Sequence, residues 1–245
     1  MLLRADGDDA IAIGQPAHAW LSGQLARAWG NERFGAVEPY EEVCLAAEQH
    51  DAGMAAWERR PTLNPETGRP RSFMELTLDE HLEIWWSAAP LVQAQCRYAA
   101  LLVSMHGTAL YERRNLDRLD PADVRRVRDF LAGQRELQQR LREPGDRHVE
   151  RNQRLVWTWD SLSLGLLLGW APFSLTDVPT ADEDTAIEVG TTTLRPWPFR
   201  TPQVRLRCEG RRLTGRYDDE ATMRDALTNA PWVTIEIELT RAVDD

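Results

Sequence analysis

Lysine is absent from this chain of 245 residues, so arginine supplies all 29 of its basic side chains. The protein therefore has no lysine that could form a Schiff base and no lysine that could bind a phosphate. An anion can therefore be held only by arginine, by backbone N–H groups or by a metal ion. This absence limits the chemistry that any site in the chain can use.

Cysteines and long apolar runs are also scarce. The three cysteines lie far apart without a Cys-x-x-Cys pair, which favours inert, reduced thiols in a cytoplasmic protein. The first residues lack the apolar run of a signal peptide. The longest uncharged stretch, residues 161–176, is interrupted by Gly165, Gly169 and Pro172 and is too short to span a membrane. We expect a cytoplasmic protein without a membrane segment.

The formal net charge is −10 and the isoelectric point is about 5.1. A negative chain of this kind argues against nucleic acid as a partner, because nucleic-acid binding needs a basic face. It does not argue against a small anionic substrate, since bound metal ions can dominate the charge of their own pocket. The sequence leaves open whether the protein is a homo-oligomer.

The chain has only 5 histidines, and four of them form an ordered series with two aspartates. The His50-Asp51 pair places an imidazole and a carboxylate on adjacent residues, so that both can reach one metal ion. Imidazole and carboxylate ligands suit iron, manganese, zinc and similar divalent ions. In chain order the candidate metal ligands are His18, His50, Asp51, His81, His106 and Asp160.

Most of these candidates fall on predicted amphipathic helices. His18 shares a face with Leu21 and Leu25, and a helix over residues 39–56 places His50 on an apolar stripe. His81 follows a capping box that begins a helix at residue 77. Asp160 lies inside an apolar helix predicted for residues 147–169, where a carboxylate is costly unless it is paired or binds metal. The fifth histidine, His148, is predicted to lie on the surface.

The predicted fold class is α+β, with a mainly helical core and a small antiparallel β-sheet. Residues 1–15 form a hairpin that joins the C-terminal strands, residues 16–172 form the helical core, and residues 173–245 form the β region. We expect Glu209-Gly210-Arg211 to form a tight turn and Pro90 to kink or end its helix. The proline-rich loop over residues 59–71 is long enough to cover a site.

The ordered ligands, with the surrounding segments 47–53, 102–108 and 159–160, resemble the HD-domain superfamily in its two-metal form. Over nearly its full length the chain is similar to an uncharacterised bacterial family, DUF3891. The resemblance implies an HD-type core in which His18, His50, Asp51 and Asp160 bind one ion. It implies that Asp51 bridges to a second ion bound by His81 and His106. Many superfamily members have a lysine where this chain has Met54, which weakens the case for a phosphate substrate.

Three functions remain open from the sequence. The first is a metal-dependent hydrolase, with phosphoesters of small anionic molecules as the first substrate class. It would use water activated by a metal pair, with His50 and Asp51 as catalytic residues. The second is a mixed-valent di-iron oxygenase, and the third is a module that binds a metal or ligand without catalysis. The candidate substrate contacts are Ser104, Thr108, Tyr111, Arg59 and Arg69.

Overall fold

The computed structural model describes residues 1–242, in which eight helices and nine strands surround one main apolar core. Two strands come first, β1 (Leu2–Asp6) and β2 (Asp9–Ile13), followed by the helix α1 (Gln15–Ala28). The remaining helices of the core are α2 (Tyr40–Gln49), α3 (Met54–Glu58), α4 (Leu78–Gln93), α5 (Arg97–Glu112), α6 (Pro121–Leu141) and α7 (Val149–Leu168). Between α3 and α4 lies a short hairpin, β3 (Leu63–Asn64) and β4 (Arg69–Pro70).

The C-terminal third of the chain forms five strands and one helix. They are β5 (Phe173–Pro179), β6 (Asp184–Val189), β7 (Thr193–Arg195), β8 (Gln203–Leu213), α8 (Glu220–Asn229) and β9 (Trp232–Arg241). Seven strands of the protein form one sheet in the order β1-β2-β8-β9-β7-β6-β5. All neighbours in it are antiparallel except β7 and β9, which are parallel.

This sheet shows that the predicted fold class is wrong. Strands make up 22% of the protein and helices 49%, so the sheet is not a small addition to a helical core. It is also mixed rather than antiparallel, because Thr193 and Leu194 of β7 pair in parallel with β9. The hairpin β5–β6 adds two further strands at the end of the sheet opposite β1. The N-terminal hairpin joins the sheet through pairing of β2 with β8.

Gly210 explains one difference between the predicted and the observed strands. We expected a turn at this glycine, but β8 runs straight through it and pairs with β9 as far as Arg211. A Cβ atom at Gly210 would lie 2.6 Å from Ile11 Cγ2 and 3.1 Å from the Ala12 carbonyl oxygen. Glycine is therefore required here by the close approach of β2, not by a change in chain direction.

The helices pack on the sheet in a way that places the site between them. Helix α1 lies against β8, and α7 contacts both β1 and β5. Helix α2 packs on α1 and α7, and α5 packs on α2 and α7. Helix α4 continues through Pro90 and ends three residues later, at Gln93. The predicted helix over residues 39–56 is interrupted between Gln49 and Met54, and this break carries His50 and Asp51.

The structure also bears on the expectation that the cysteines are reduced and inert. All three cysteines are free, and burial raises the pKa of Cys44 and Cys208 to about 11. Thiols of this kind are poor nucleophiles at neutral pH.

Among residues 1–242, no helix combines the length and the apolar character needed to cross a bilayer.

The contact between α7 and β5 gives a prediction about stability. A Cβ atom at Gly165 would overlap the ring of Phe173 well inside van der Waals contact. Gly165→Ala should therefore lower the free energy of unfolding by about 1–3 kcal/mol, despite the better helix propensity of alanine. Gly145→Ala is the control, because no heavy atom lies within 4 Å of its added Cβ. Urea unfolding measures both, and equal stability of the two variants would contradict the packing described.

Candidate metal centre

The buried site begins with His18 on α1, which is fully inaccessible to solvent. Its Nδ1 lies 2.8 Å from Ser163 Oγ, and the same hydroxyl lies 2.9 Å from the carbonyl oxygen of Asp160. Ser22 Oγ also contacts Ser163 Oγ, at 2.8 Å. This serine pair holds one edge of the His18 ring, which directs Nε2 towards Asp160 Oδ1 at 3.0 Å. Contacts of this kind to the far nitrogen are typical of histidines that bind metal.

His50 and Asp51 lie in the break between α2 and α3. His50 Nδ1 is 2.8 Å from the carbonyl oxygen of Ala47, so this nitrogen must carry the proton and donate it. Nε2 then has a lone pair when the ring is neutral, and it has no hydrogen-bond partner although it is buried. The break is possible because Gly53 allows α4 to approach: a Cβ there would overlap the carbonyl oxygen of Ile84.

Asp160, in the middle of α7, brings the site together. Its Oδ1 lies 3.0 Å from His18 Nε2 and 3.4 Å from His50 Nε2. Asp51 Oδ2 lies 3.6 Å and 3.5 Å from the same two nitrogens. Four atoms placed about 2.1 Å from one ion are separated from each other by about 3.0–3.4 Å. The four observed separations between an imidazole nitrogen and a carboxylate oxygen, 3.0–3.6 Å, lie in or close to this range.

His106 on α5 adds a third nitrogen, on the other side of Asp160. Its Nε2 is 3.5 Å from Asp160 Oδ2, and its ring packs between Trp85 and Trp157 with centroid distances of 5.5 Å to each. Gly107 permits this arrangement, since a Cβ there would lie 2.9 Å from the Trp85 ring. The donor atoms form two overlapping groups, His18 with His50 and Asp51, and His50 with His106 and Asp160.

His81 lies beside this group but makes other contacts. Trp85 Nε1 donates to His81 Nε2 at 3.2 Å, so the lone pair of that nitrogen is occupied. The proton must then lie on Nδ1, which is 2.5 Å from the hydroxyl of Tyr111. His81 belongs to neither group of candidate donors among the described residues. In this arrangement it cannot bind metal unless the contact with Trp85 is broken.

The carboxylates and imidazoles strongly influence one another. Burial alone would lower the pKa of His50, but Asp51 and Asp160 outweigh it and raise that pKa to about 9. Burial would raise the pKa of Asp160, but the neighbouring imidazoles of His18 and His50 hold it well below its usual range. Burial raises the pKa of Asp51, with opposition from His50 and His18. Without metal, a positive charge on His50 thus lies between two carboxylates, at the place where a cation would neutralise them.

A cavity of about 80 Å3 opens onto the donors. Its polar wall consists of Gln15, His18, Asp51, His81, His106 and Asp160. Its apolar wall consists of Met54, Phe73, Trp85, Leu110 and Leu164. No arginine lines this cavity in the described part of the chain, so the only side chains in its wall that can carry a positive charge are imidazoles. Such a cavity suits a small molecule or the reacting end of a larger one.

The structure places the predicted substrate contacts elsewhere. Ser104 Oγ donates to Gln134, and Thr108 Oγ1 donates to the carbonyl oxygen of Met105. Tyr111 reaches the site only through His81. Arg59 lines a separate groove, and Arg69 donates to the carbonyl oxygen of Asp8. None of these five side chains lines the cavity beside the metal donors.

No residue of the loop over residues 59–71 lines the cavity beside the donors. Tyr217 N donates to the carbonyl oxygen of Gly68, and Arg216 donates to that of Glu66. These contacts hold the loop against the segment before α8. Phe73, just after the loop, is the residue that reaches the cavity. His148 is exposed, as predicted.

Sequence reasoning missed Gln15 and most of the apolar wall. Two of these residues had a signal in their spacing, because residues three or four apart share one face of a helix. Gln15 precedes His18 by three positions, and Leu164 follows Asp160 by four. Phe73 had no such signal, because its position depends on the course of a loop.

The two buried neutral histidines predict how the metal-free protein responds to acid. Burial lowers the pKa of His81 to about 4 and that of His106 to about 3. An unfolded histidine binds a proton near pH 6.5, so below that pH the unfolded state gains protons that the folded state does not. The free energy of unfolding should therefore fall as the pH falls from about 6.5 to about 4.

His81→Asn should reduce this slope by up to about 1.4 kcal/mol per pH unit. Chemical denaturation at several pH values, in the presence of a chelator, measures the slope. His148→Asn, at an exposed position, is the control. If wild type and His81→Asn had the same slope between pH 6.5 and 4, the buried neutral state of His81 would be contradicted.

Comparison with known protein families adds one finding to this geometry. Residues 1–215 match a family described as a protein of unknown function (DUF3891). No curated protein and no solved structure is significantly similar to the chain. Because the match covers most of the 245 residues, the family predicted from the sequence is confirmed, and the chain belongs to the DUF3891 family.

Proposed function

We propose that this protein is a metal-dependent hydrolase of the HD type that acts on a small anionic substrate, with phosphoesters as the first class. One observation carries the proposal. The buried Nε2 of His50 makes no hydrogen bond, and it faces the carboxylates of Asp51 and Asp160 at 3.5 and 3.4 Å. A divalent ion bound there would accept the lone pair of the neutral imidazole and would replace the positive charge of His50 between the two carboxylates.

The donor arrangement favours one ion over two. His50 uses Nδ1 to donate to Ala47, which leaves only Nε2 for a metal. The two groups of candidate donors share this nitrogen, so both cannot be filled at the same time. A second ion would also need His81, whose Nε2 accepts from Trp85. We therefore propose a single ion bound by His18, His50, Asp51 and Asp160, with His106 next to it.

The residues around the ion have separate tasks in this proposal. The ion would lower the pKa of a water molecule so that it can attack at neutral pH. Asp51 lines the cavity, and its carboxylate could accept a proton from that water. His106, held between two indole rings, provides an N–H or a lone pair beside Asp160. The apolar wall keeps bulk water away from the reacting group.

The substrate must be small at its reacting end, because the cavity measures about 80 Å3. A single divalent ion and two carboxylates are close to neutral together, by simple counting. With no lysine in the chain and no arginine in the described wall of the cavity, an anionic substrate would be held by the ion. A nucleotide would have to leave its base and sugar outside the cavity.

The first test measures metal binding. Protein purified without chelator should contain a transition metal, detected by elemental analysis, and His50→Ala should contain almost none. Metal added at about 100 times its dissociation constant should raise the free energy of unfolding of wild type by about 2.7 kcal/mol. It should not stabilise His50→Ala. The matched control His148→Ala should bind metal as wild type does.

The same measurement distinguishes one ion from two. His81→Ala should keep one metal ion per chain, because His81 is already occupied by Trp85 and Tyr111. Two ions per chain in wild type and one in His81→Ala would contradict the single-ion site and would support the bridged pair expected from the sequence.

The second test concerns the reaction. Manganese- and iron-loaded protein should hydrolyse members of a panel of small phosphoesters without oxygen, and His50→Ala should reduce the rate at least 100-fold. The reason is that hydrolysis needs an activated water but no redox change. No turnover on the panel, combined with oxygen uptake by the iron form that depends on a substrate, would favour the oxygenase instead. Bound metal without either activity would favour the binding module.

A further inference from the structure

The wall of the cavity contains one buried polar side chain, Gln15, that has no role in the reaction proposed above. It is the first residue of α1, and only 3% of its surface is exposed. Its side chain lines the same cavity as His18 and Asp51. Its Oε1 has no hydrogen-bond partner among the described residues.

The backbone explains why this side chain faces the donors. The main-chain N–H of Gln15 donates to both carboxylate oxygens of Glu58, at 2.9 and 3.0 Å. Pro16 follows at the first turn of α1, where its fixed φ suits the start of a helix. Gln15 and His18 are three residues apart and therefore share one helix face. The carboxamide thus lies beside a proposed metal ligand, on a backbone that is held firmly in place.

The other groups around the cavity make Gln15 distinctive. The remaining polar side chains in the wall are imidazoles and carboxylates, and one of the imidazoles, His81, is occupied by Trp85 and Tyr111. Gln15 is therefore the one uncharged carboxamide in the described wall. A carboxamide oxygen without a partner needs a hydrogen-bond donor, and a hydroxyl group can provide one.

We propose that Gln15 determines substrate specificity by accepting a hydrogen bond, through Oε1, from a hydroxyl group on the molecule bound next to the metal ion. The preferred substrates would then carry a hydroxyl group close to the group that contacts the metal. An ordered water molecule is the other source of the same O–H chemistry. This inference rests on the metal site of the proposed function but not on hydrolysis.

The test compares two small acids that differ by one hydroxyl group, propionate and 3-hydroxypropionate. Each is titrated into Co²⁺-loaded protein, and binding is followed by the visible absorption of the cobalt. Wild type should bind 3-hydroxypropionate about threefold to tenfold more tightly, as expected for one neutral hydrogen bond. Gln15→Met has nearly the same length but no acceptor, and it should lose this preference while its cobalt content and propionate affinity stay unchanged.

Two further variants complete the test. Gln15→Asn has a side chain shorter by one methylene group, so its carboxamide should not reach the hydroxyl group and the preference should be lost. This variant serves as the test if Gln15→Met does not fold. Gln24→Leu, on the same helix but bonded to Arg207 of the sheet, should keep the preference. If Gln15→Met bound both acids with equal affinity, and more weakly than wild type does, we would conclude that the carboxamide orders a water molecule. The proposed contact between Gln15 and the substrate would then be overturned.

Two other results separate this inference from the proposed function. A cobalt-loaded Gln15→Met that kept the full preference for 3-hydroxypropionate would overturn the inference and leave the metal site intact. Wild type that failed to bind cobalt would overturn the proposed function and this inference together.

Discussion

Two aspartates buried close together are the constraint on which the rest of this structure depends. Asp51 and Asp160 are each 7% exposed, and both lie within 3.6 Å of the same imidazole nitrogens. Carboxylates removed from water need positive charge or hydrogen-bond donors. In the metal-free protein, His50 and its raised pKa provide part of that charge. A divalent ion would provide more of it and would allow both imidazoles to be neutral.

The close approach of the two aspartates requires small residues at specific positions in the chain. Gly53 allows α4 to approach the break that carries Asp51, and Gly107 allows Trp85 to pack against α5 next to His106. At each position a Cβ atom would push apart the elements that bring the donors together. Substitution of either glycine should therefore affect the site as well as the packing, because the same contacts serve both.

The chemistry of the site was easier to predict from the sequence than the fold. Asp160 is conspicuous within an apolar helix, and His50-Asp51 is conspicuous within a chain that has few histidines. Chemical type, together with the resemblance of the ligand order to the HD-domain superfamily, therefore indicated five residues that the structure brings together. What could not be predicted was the competition for His81, because Trp85 and Tyr111 occupy its nitrogens only in the folded chain.

The fold was harder to predict because strand pairing depends on distant partners. From the sequence alone, a glycine that forms a turn cannot be distinguished from one that allows a neighbouring strand to approach. For Gly210 the difference depends on the position of Ile11 in the folded chain. Parallel pairing of Thr193 with Thr240 joins residues far apart in the chain, and the short strand β7 has too few residues to show a period. The spacing of Gln15 from His18 was not enough to identify it, because the contact that fixes its backbone is made by Glu58, which is 43 residues away.

The donors also connect the site to the sheet. His18 and Asp160 are 142 residues apart in the chain, and they lie on the helices that follow β2 and precede β5. Strands β1 and β2 lie at one end of the seven-stranded sheet, and β5 and β6 lie at the other. An ion bound by His18 and Asp160 would therefore link α1 to α7, and through them the two ends of the sheet. Metal binding to such a site would stabilise the whole fold, because the unfolded chain cannot bring these two residues together without losing a large amount of conformational entropy.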